Sequence, residues 1–372
     1  MSRRVVLVAG EASGDLHGAA LVREMRRIEP DLEVAGIGGD HLRAEGMQIL
    51  TDTSHVQTMG LVETFGTLGR LVRAFRSVRR YLQENRPDLV ILIDYPEFNL
   101  LLARSAKRLG IPVFYYIGPQ VWAWRRGRVR QIRRLVDRMA LVFPFEPELY
   151  NEDTARMAEF VGHPLLDVVS STRSVEATRE LNGLSARGRV LALLPGSRAK
   201  EVEYLLPPMV AAAEQLETEG WEPIIALAPN LDEAFLEHAL GRPVEMRVAR
   251  ADTYNVVAAA DAVVVASGTA TLETALLARP MVIVYRVAML TYLVGRLLVR
   301  IRNIGMPNIV LGRSVFPELI QGRVKPEAIA AAVRDVAAAA EDTAPALREV
   351  RGRLGEPGAA RRAAQMALEL MA

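Results

Sequence analysis

The chain has 372 residues, with 46 Lys and Arg against 44 Asp and Glu and a formal charge of +2, a balance that argues against a nucleic-acid partner. Half of it is hydrophobic and 24% is charged, which fits a folded globular protein of about two domains. It contains no Cys, which excludes disulfides, thiolate catalysis and Cys-ligated zinc.

The opening run, Val5–Val8, is too short for a signal segment and meets Glu11 at once, so it reads as a first core strand. A glycine turn follows in the stretch VVLVAGEASGDLHGAA, and then Leu21, Met25 and Ile28 recur at helical spacing. Strand, turn and helix in that order usually cradle phosphate. Here Glu11 and Asp15 would repel it, and carboxylates instead suit the hydroxyls of a sugar. Asp15 serves equally well as a helix cap.

Leu68, Leu71, Val72, Phe75, Val78 and Leu82 give the next helix its apolar stripe. The segment 59–75 alternates apolar residues with Arg70 and Arg73, as 289–306 does with Arg296, Arg300 and Arg302, and both suit either ordinary core helices or acyl chains and an anionic bilayer surface. Leu89–Ile93 is a continuous apolar strand, and Asp94 follows it directly in LIDYPEFN, where Pro96 forces a turn. A carboxylate there is a candidate general base or a helix cap. Val113–Ile117 is another strand. Beyond it, in IGPQVWAWRRGRVRQIRR, Trp122 and Trp124 are expected to line a cleft while the outer arginines form a solvated helix face. Met139–Phe143 continues the series. Continuous apolar runs alternating with amphipathic helices predict a doubly wound parallel sheet.

A polar stretch over 170–188 precedes a restart of the same pattern, with strands at Val190–Leu194, Pro223–Ala228, Asp261–Ala266 and Met281–Tyr285. In LLPGSRAKE, the turn of Gly196, Ser197 and Arg198 offers backbone N–H groups and a guanidinium to a diphosphate. Pro207 and Pro208 predict that the following helix is short or broken. In ASGTATLE, Ser267, Gly268, Thr269 and Ala270 form a small-residue helix start with free N–H groups. Glu273 in that first turn suits ribose hydroxyls or simply the helix dipole. The apolar segment 280–302 is interrupted by Arg286, Arg296 and Arg300, so it is too short between charges to span a bilayer. The Ala- and Arg-rich tail from Pro326 reads as helices.

The fold class expected is therefore α/β, with two Rossmann-like doubly wound domains facing a cleft. The domains are placed at 1–168 for an acceptor and 169–345 for a donor, with a helical tail at 346–372 that either returns to the first domain or joins a partner. Phosphate-friendly turns in the second half and acid-bearing turns in the first suit a nucleotide-sugar donor and a hydroxyl acceptor. Five scattered His and the lack of a DxD motif give no reason to expect a metal or another cofactor.

The motifs GEASGDLHGA, MGLVE, IDYPEFN, VWAWR, PFE, FVGHPL, LLPGSR, SGTATLE and MPNIVLGR occur in that order. With them the chain closely resembles the lipid-A-disaccharide synthases, bacterial glycosyltransferases of the two-Rossmann-domain (GT-B) architecture. Gly118 and Gln120 stand where that family more often has serines, and Glu97 replaces a more usual Asp. The resemblance implies inverting transfer of a sugar from UDP-2,3-diacylglucosamine to 2,3-diacylglucosamine 1-phosphate, giving the β-1,6-linked disaccharide 1-phosphate and UDP. It also implies Asp94 as the base, and Arg198 and Asn308 as important positions, Asn308 toward the donor. By analogy with the wider architecture, the turn from Ser267 to Glu273 holds UDP. Glu11, Asp15 and Trp122 are the acceptor-binding candidates. A cytoplasmic protein peripheral to the inner face of the inner membrane is expected, with a homodimer as one option. The rival readings are a UDP-sugar epimerase on the same fold and a non-catalytic nucleotide-sugar or lipid-binding protein. An NAD-dependent oxidoreductase is disfavoured, since no GxGxxG follows any strand.

Overall fold

The computed structural model describes residues 2–53, 65–124, 126–151, 157–289, 291–293 and 302–371. The chain divides into two compact units, one of residues 1–167 with 355–372 and one of residues 168–354.

The first unit runs β1 (Arg4–Ala9), α1 (Ala12–Ile28), β2 (Glu33–Gly38), α2 (Asp40–Ala44), β3 (Gln48–Asp52), α3 (Phe65–Asn85), β4 (Leu89–Ile93), α4 (Pro96–Arg108), β5 (Val113–Tyr116), α5 (Val121–Trp124), α6 (Val129–Leu135), β6 (Arg138–Leu141), α7 (Pro147–Tyr150), β7 (Ala158–Phe160) and α8 (Leu165–Val168). Its strands pair in parallel in the order β3-β2-β1-β4-β5-β6-β7. Every residue of β4 and β5 is buried, which is why these strands are apolar on both faces rather than alternating.

The second unit contains α9 (Val175–Leu181), β8 (Arg189–Leu194), α10 (Ala199–Glu217), β9 (Trp221–Leu227), α11 (Glu233–Leu240), β10 (Arg247–Arg250), α12 (Thr253–Ala259), β11 (Ala262–Ala266), α13 (Thr269–Leu276), β12 (Met281–Tyr285), α14 (Met306–Leu311), β13 (Glu318–Ile320), α15 (Pro326–Ala338) and α16 (Ala340–Arg353). Its parallel sheet has the order β10-β9-β8-β11-β12-β13. In both sheets the strand order reverses beside the first strand of the unit, the place where doubly wound folds open a crevice beyond their strand ends.

One expectation fails here. Helix α10 is unbroken from Ala199 to Glu217, with Pro207 and Pro208 inside it. Each proline removes a ladder hydrogen bond, at a cost of about 3 kcal/mol in an isolated helix. The apolar face of α10 offsets that cost: Val202, Leu205, Leu206, Met209 and Ala213 are all buried in the core beneath it.

Residues 346–353, which the sequence groups with the tail, lie in α16 of the second unit. The last helix, α17 (Ala359–Glu369), belongs to the first unit and packs against α1. Its buried residues are Ala359, Ala360, Ala363, Ala364, Met366, Ala367 and Leu368, five of them alanines, small side chains that admit close approach of a neighbouring helix. Arg362 fixes the helix to its unit by donating from Nε to the Val161 carbonyl at 2.9 Å.

Candidate functional site

In the first unit, the polar residues gather at the carboxyl ends of neighbouring strands. β4 ends on Ile93, and the backbone bends at once: Asp94 and Tyr95 both have φ of +45°. The left-handed region is rare for residues with a Cβ and costs on the order of 1–3 kcal/mol at each. Surrounding groups hold the bend in place. The Asp94 N–H donates to the Ile117 carbonyl at 3.2 Å, and the Asp94 carbonyl accepts from Asn99 Nδ2 at 2.7 Å and from the Tyr115 hydroxyl. Both clamping side chains are fully buried. With its backbone so fixed, Asp94 keeps a half-buried carboxyl. Burial raises its pKa to about 6, and the negative charge of Glu11 adds to the shift.

This places the acidic glycine turn. Glu11 sits at the N-cap of α1 without a side-chain capping bond, half-buried, and acts electrostatically on Asp94. Asp15 is different and corrects the expectation of an acceptor contact. It is 3% exposed, and its carboxylate accepts from the backbone N–H groups of Gly39 at 2.6 Å, His41 at 3.0 Å and Leu42 at 3.2 Å. It therefore caps the start of α2, a helix remote in sequence from its own. Trp122 is likewise corrected: it does not line an opening. It is buried, donates Nε1–H to Glu146 Oε1 at 3.1 Å, and meets Phe143 and Phe145 edge-on.

Glu146 is a buried acid beside these strand ends that the sequence reading did not single out. Its carboxylate also accepts from the Phe143 N–H at 3.1 Å, and burial pushes its pKa up to about 7. It ties α5 to the loop after β6. The signal was an acid directly behind an apolar strand in PFE, weak because one acid there is commonplace. Nearby, His163 stacks at a tilt on Phe143 and accepts from the Leu165 N–H at Nδ1, and burial lowers its pKa to about 3.

The second unit holds a cavity of about 690 Å³ over the carboxyl ends of β8, β9, β10 and β11. Gly196, Ser197 and Arg198 line it from the turn after β8, and Ser267, Gly268, Thr269, Ala270 and Glu273 from the turn after β11 and the start of α13. Those eight expected residues are thus brought together. Gly196 has φ of +114°, a conformation that excludes a side chain in practice. The Gly268, Thr269 and Ala270 N–H groups stand at a helix start, where no intrahelical acceptor exists. Ser267 is not part of that free donor set, because its N–H donates to the Val284 carbonyl at 2.9 Å and its hydroxyl to the Ile304 carbonyl at 3.0 Å. Arg198 is exposed and paired with Glu201 at 3.2 Å. Such an exposed pair contributes on the order of 0.2–1 kcal/mol, so the guanidinium can readily exchange its partner for a phosphate.

Glu273 is half-buried on the cavity wall, and burial raises its pKa. The Tyr254 hydroxyl donates to Glu273 Oε1 at 3.0 Å. Tyr254, Asp252 and Thr172 also line the cavity and were not legible as site residues, since the first two follow a short mixed strand, RVAR, and Thr172 lies in the polar stretch before α9.

Asn308 is the third correction. It is fully buried and absent from the cavity wall. Its Nδ2 donates to the Phe316 carbonyl and to Glu318 Oε1, each at 2.8 Å, and its Oδ1 accepts from the Val315 and Phe316 N–H groups. Every bond its amide can make is internal, so it organises the loop before β13 and has none left for a ligand.

Comparison with known proteins agrees along the full length. The family model described as lipid-A-disaccharide synthetase matches residues 5–368. The lipid-A-disaccharide synthase of Syntrophus aciditrophicus is 49% identical over 379 residues, covering 100% of this chain and 98% of that protein. The enzyme of the same name from Myxococcus xanthus is 46% identical, covering 99% and 97%. Among solved structures, the glycotransferase of kitacinnamycin superposes with a TM-score of 0.67 at 16% identity, covering 100% of both chains. MurG of Acinetobacter baumannii gives 0.59 at 15% identity, covering 99% of each. These two likenesses speak to the fold alone.

Proposed function

The chain belongs to the lipid-A-disaccharide synthase family and is a glycosyltransferase, and from that premise we propose that it joins two diacylated glucosamines. The donor is UDP-2,3-diacylglucosamine, the acceptor is 2,3-diacylglucosamine 1-phosphate, and the products are the β-1,6-linked disaccharide 1-phosphate and UDP. The observation that carries the division of roles is the cavity of the second unit. It puts the free N–H groups at Gly268–Ala270, the guanidinium of Arg198 and the carboxylate of Glu273 around one space large enough for a nucleotide diphosphate.

In this reading the α13 start and Arg198 meet the diphosphate, and stabilise the charge that gathers on UDP as the bond to the sugar breaks. Glu273 accepts hydrogen bonds from the ribose hydroxyls. In the first unit, Asp94 takes the proton of the acceptor 6-hydroxyl as its oxygen attacks the anomeric carbon in a single inverting displacement. A carboxyl with a pKa near 6 is ionised at neutral pH yet more basic than an ordinary aspartate, which suits that task. Glu11 keeps it so. The acceptor-binding surface contains Glu11 and excludes Asp15 and Trp122.

The reading places the protein at the cytoplasmic face of the inner membrane, where lipid substrates lie. No helix among the described residues is long and apolar enough to cross a membrane. The exposed arginines of α3, including Arg70 and Arg73, support contact with an anionic surface. A second stretch with the same pattern, 289–306, has Arg296 and Arg300 outside the described residues.

Mass spectrometry of the mixture of protein, diacylated UDP-sugar and diacylated sugar phosphate tests the proposal. A disaccharide 1-phosphate formed one-for-one with UDP supports it. UDP release without acceptor, or an epimerised UDP-sugar, would overturn it.

A further inference from the structure

Glu273 has a difficulty if it is to serve a ribose. It must be charged and correctly aimed, yet it is half-buried and burial favours its neutral form. A protonated Glu273 would offer its own proton to a hydroxyl and could rotate away from it. Something must favour the ionised form and fix one of its oxygens.

The neighbouring helix supplies that group. The Tyr254 hydroxyl donates to Glu273 Oε1 at 3.0 Å, and both side chains line the cavity. A hydrogen bond to a carboxylate opposes the effect of burial, and it leaves Oε2 as the oxygen turned to a ligand.

Tyr254 is itself held from both sides in sequence. Before it, Ala251 has φ of +51°, and Asp252 pairs with Arg173. After it, Asn255 accepts at Oδ1 from the Ser171 hydroxyl at 2.9 Å, the Thr172 N–H at 2.8 Å and the Arg173 N–H at 3.1 Å. Its Nδ2 donates back to Asp252 Oδ1 at 2.7 Å. The start of α12 is thus fastened to segment 171–173, and the Tyr254 ring sits on a rigid base.

From this arrangement we infer that Tyr254 is a positioning residue for nucleotide recognition: it aims the Glu273 carboxylate so that the site reads the ribose diol of a nucleoside diphosphate. The inference rests on the proposed donor role of the cavity. A site built to hydrogen-bond a hydroxyl rejects the analogue that lacks it, because the buried polar group is then left unpaired. The residue that aims the acceptor oxygen controls how strong that rejection is.

The test measures UDP and 2′,3′-dideoxy-UDP binding to the full chain by calorimetry, for the wild type, Tyr254→Phe, Glu273→Gln and the double variant. The wild type should prefer UDP by roughly 10–100-fold, the span of one or two hydrogen bonds to a charged group. Glu273→Gln should reduce the preference to a few-fold. Tyr254→Phe should lower it by about 3–10-fold but not below the Glu273→Gln value, leave dideoxy-UDP binding unchanged, and add nothing in the Glu273→Gln background.

Equal weakening of both ligands by Tyr254→Phe would show a merely structural role and overturn the inference. So would an unaltered preference, or additivity in the double variant, which would mean that Tyr254 touches the ligand directly. An undiminished preference in Glu273→Gln would overturn the ribose reading of the cavity itself. Each failure leaves its own signature. The phenylalanine ring fills the same space, and an unchanged melting temperature verifies that the variant is folded.

Discussion

Gly10 lies so close to Tyr95 that a methyl group at position 10 would stand 2.5 Å from Tyr95 Cδ1 and 3.0 Å from its Cβ. The obstruction is the root of the side chain, which cannot swing aside. Tyr95 is the second left-handed residue of the bend that presents Asp94, and its ring stacks on Phe98 at 5.8 Å. The turn after β1 and the bend after β4 are therefore one packed unit, and the glycine is needed there for close approach. Gly10→Ala should displace Tyr95 and with it Asp94, lowering kcat by about 10–100-fold, since a shift of order 1 Å near the reacting atoms carries such a penalty. UDP affinity should stay within a factor of two, because the cavity belongs to the other unit. Turnover kinetics beside calorimetry would show the split. Equal loss in both would mean that the substitution unfolds more than the bend.

The Asp94 carboxyl gives the pH dependence. As the base it works only when ionised, so kcat/KM should rise with pH through about 6 and level off above it. Part of the upward shift comes from Glu11, hence Glu11→Gln should move that limb to lower pH. Asp94→Asn should cut turnover by about 10²-fold or more. The sign for stability is opposite to that of an ion-paired aspartate. Burial raises this pKa above its unfolded value, so the folded chain holds the proton more tightly, and stability falls as pH rises from about 4 to about 6. Above that range Asp94→Asn should be the more stable protein, by roughly 1–2 kcal/mol after discounting for partial exposure, or a few degrees in Tm. A variant both inactive and less stable at pH 8 would contradict this account.

Asn308 offers a test of structure against site. Four hydrogen bonds at 2.8–3.0 Å join it to Val315, Phe316 and Glu318, those to Phe316 buried and the other two part-buried. Asn308→Ala leaves Glu318 and two backbone N–H groups short of a partner, and should cost about 3–5 kcal/mol. Thermal unfolding should show a large drop, while UDP affinity measured well below the lowered Tm should remain close to that of the wild type. A tenfold loss of UDP affinity at unchanged stability would restore Asn308 to the ligand site.

The parts legible in the sequence were those with one dominant physical signal. The central strands β4, β8, β11 and β12 are apolar on both faces, and their runs stand out at once. The edge strands β3, β10 and β13 are short and mixed, QILTD, RVAR and ELI, and β2 carries two glycines in EVAGIG, so none has a readable period. The eight cavity residues were legible because glycine turns and helix starts are local features. Asp15, Trp122 and Asn308 were misread for a common reason. Each is a polar or aromatic residue whose partner lies in another element, at Gly39–Leu42, Glu146 and Phe316–Glu318, and only the fold reveals that its hydrogen bonds are already made.

Membrane contact has its most direct test on α3. Arg70, Arg73, Arg76, Arg79 and Arg80 are exposed on this helix, and none pairs with an acid among the described residues. Val72, 39% exposed, lies between the first two. Unpaired arginines around an exposed apolar residue suit a surface of anionic lipid, to which each basic residue contributes about 1 kcal/mol. The double reversal Arg70→Glu with Arg73→Glu replaces two attractions by two repulsions, and should lower partition onto vesicles containing anionic lipid by at least about 10²-fold. Neutral vesicles should show little binding with either protein, and 0.5 M salt should release the wild type, because screening shortens the reach of the charges to a few ångströms. Activity on detergent-dispersed substrates should survive the reversal, since these arginines are assigned no part in the chemistry. Undiminished flotation of the reversed protein on anionic vesicles would move the contact away from α3 altogether.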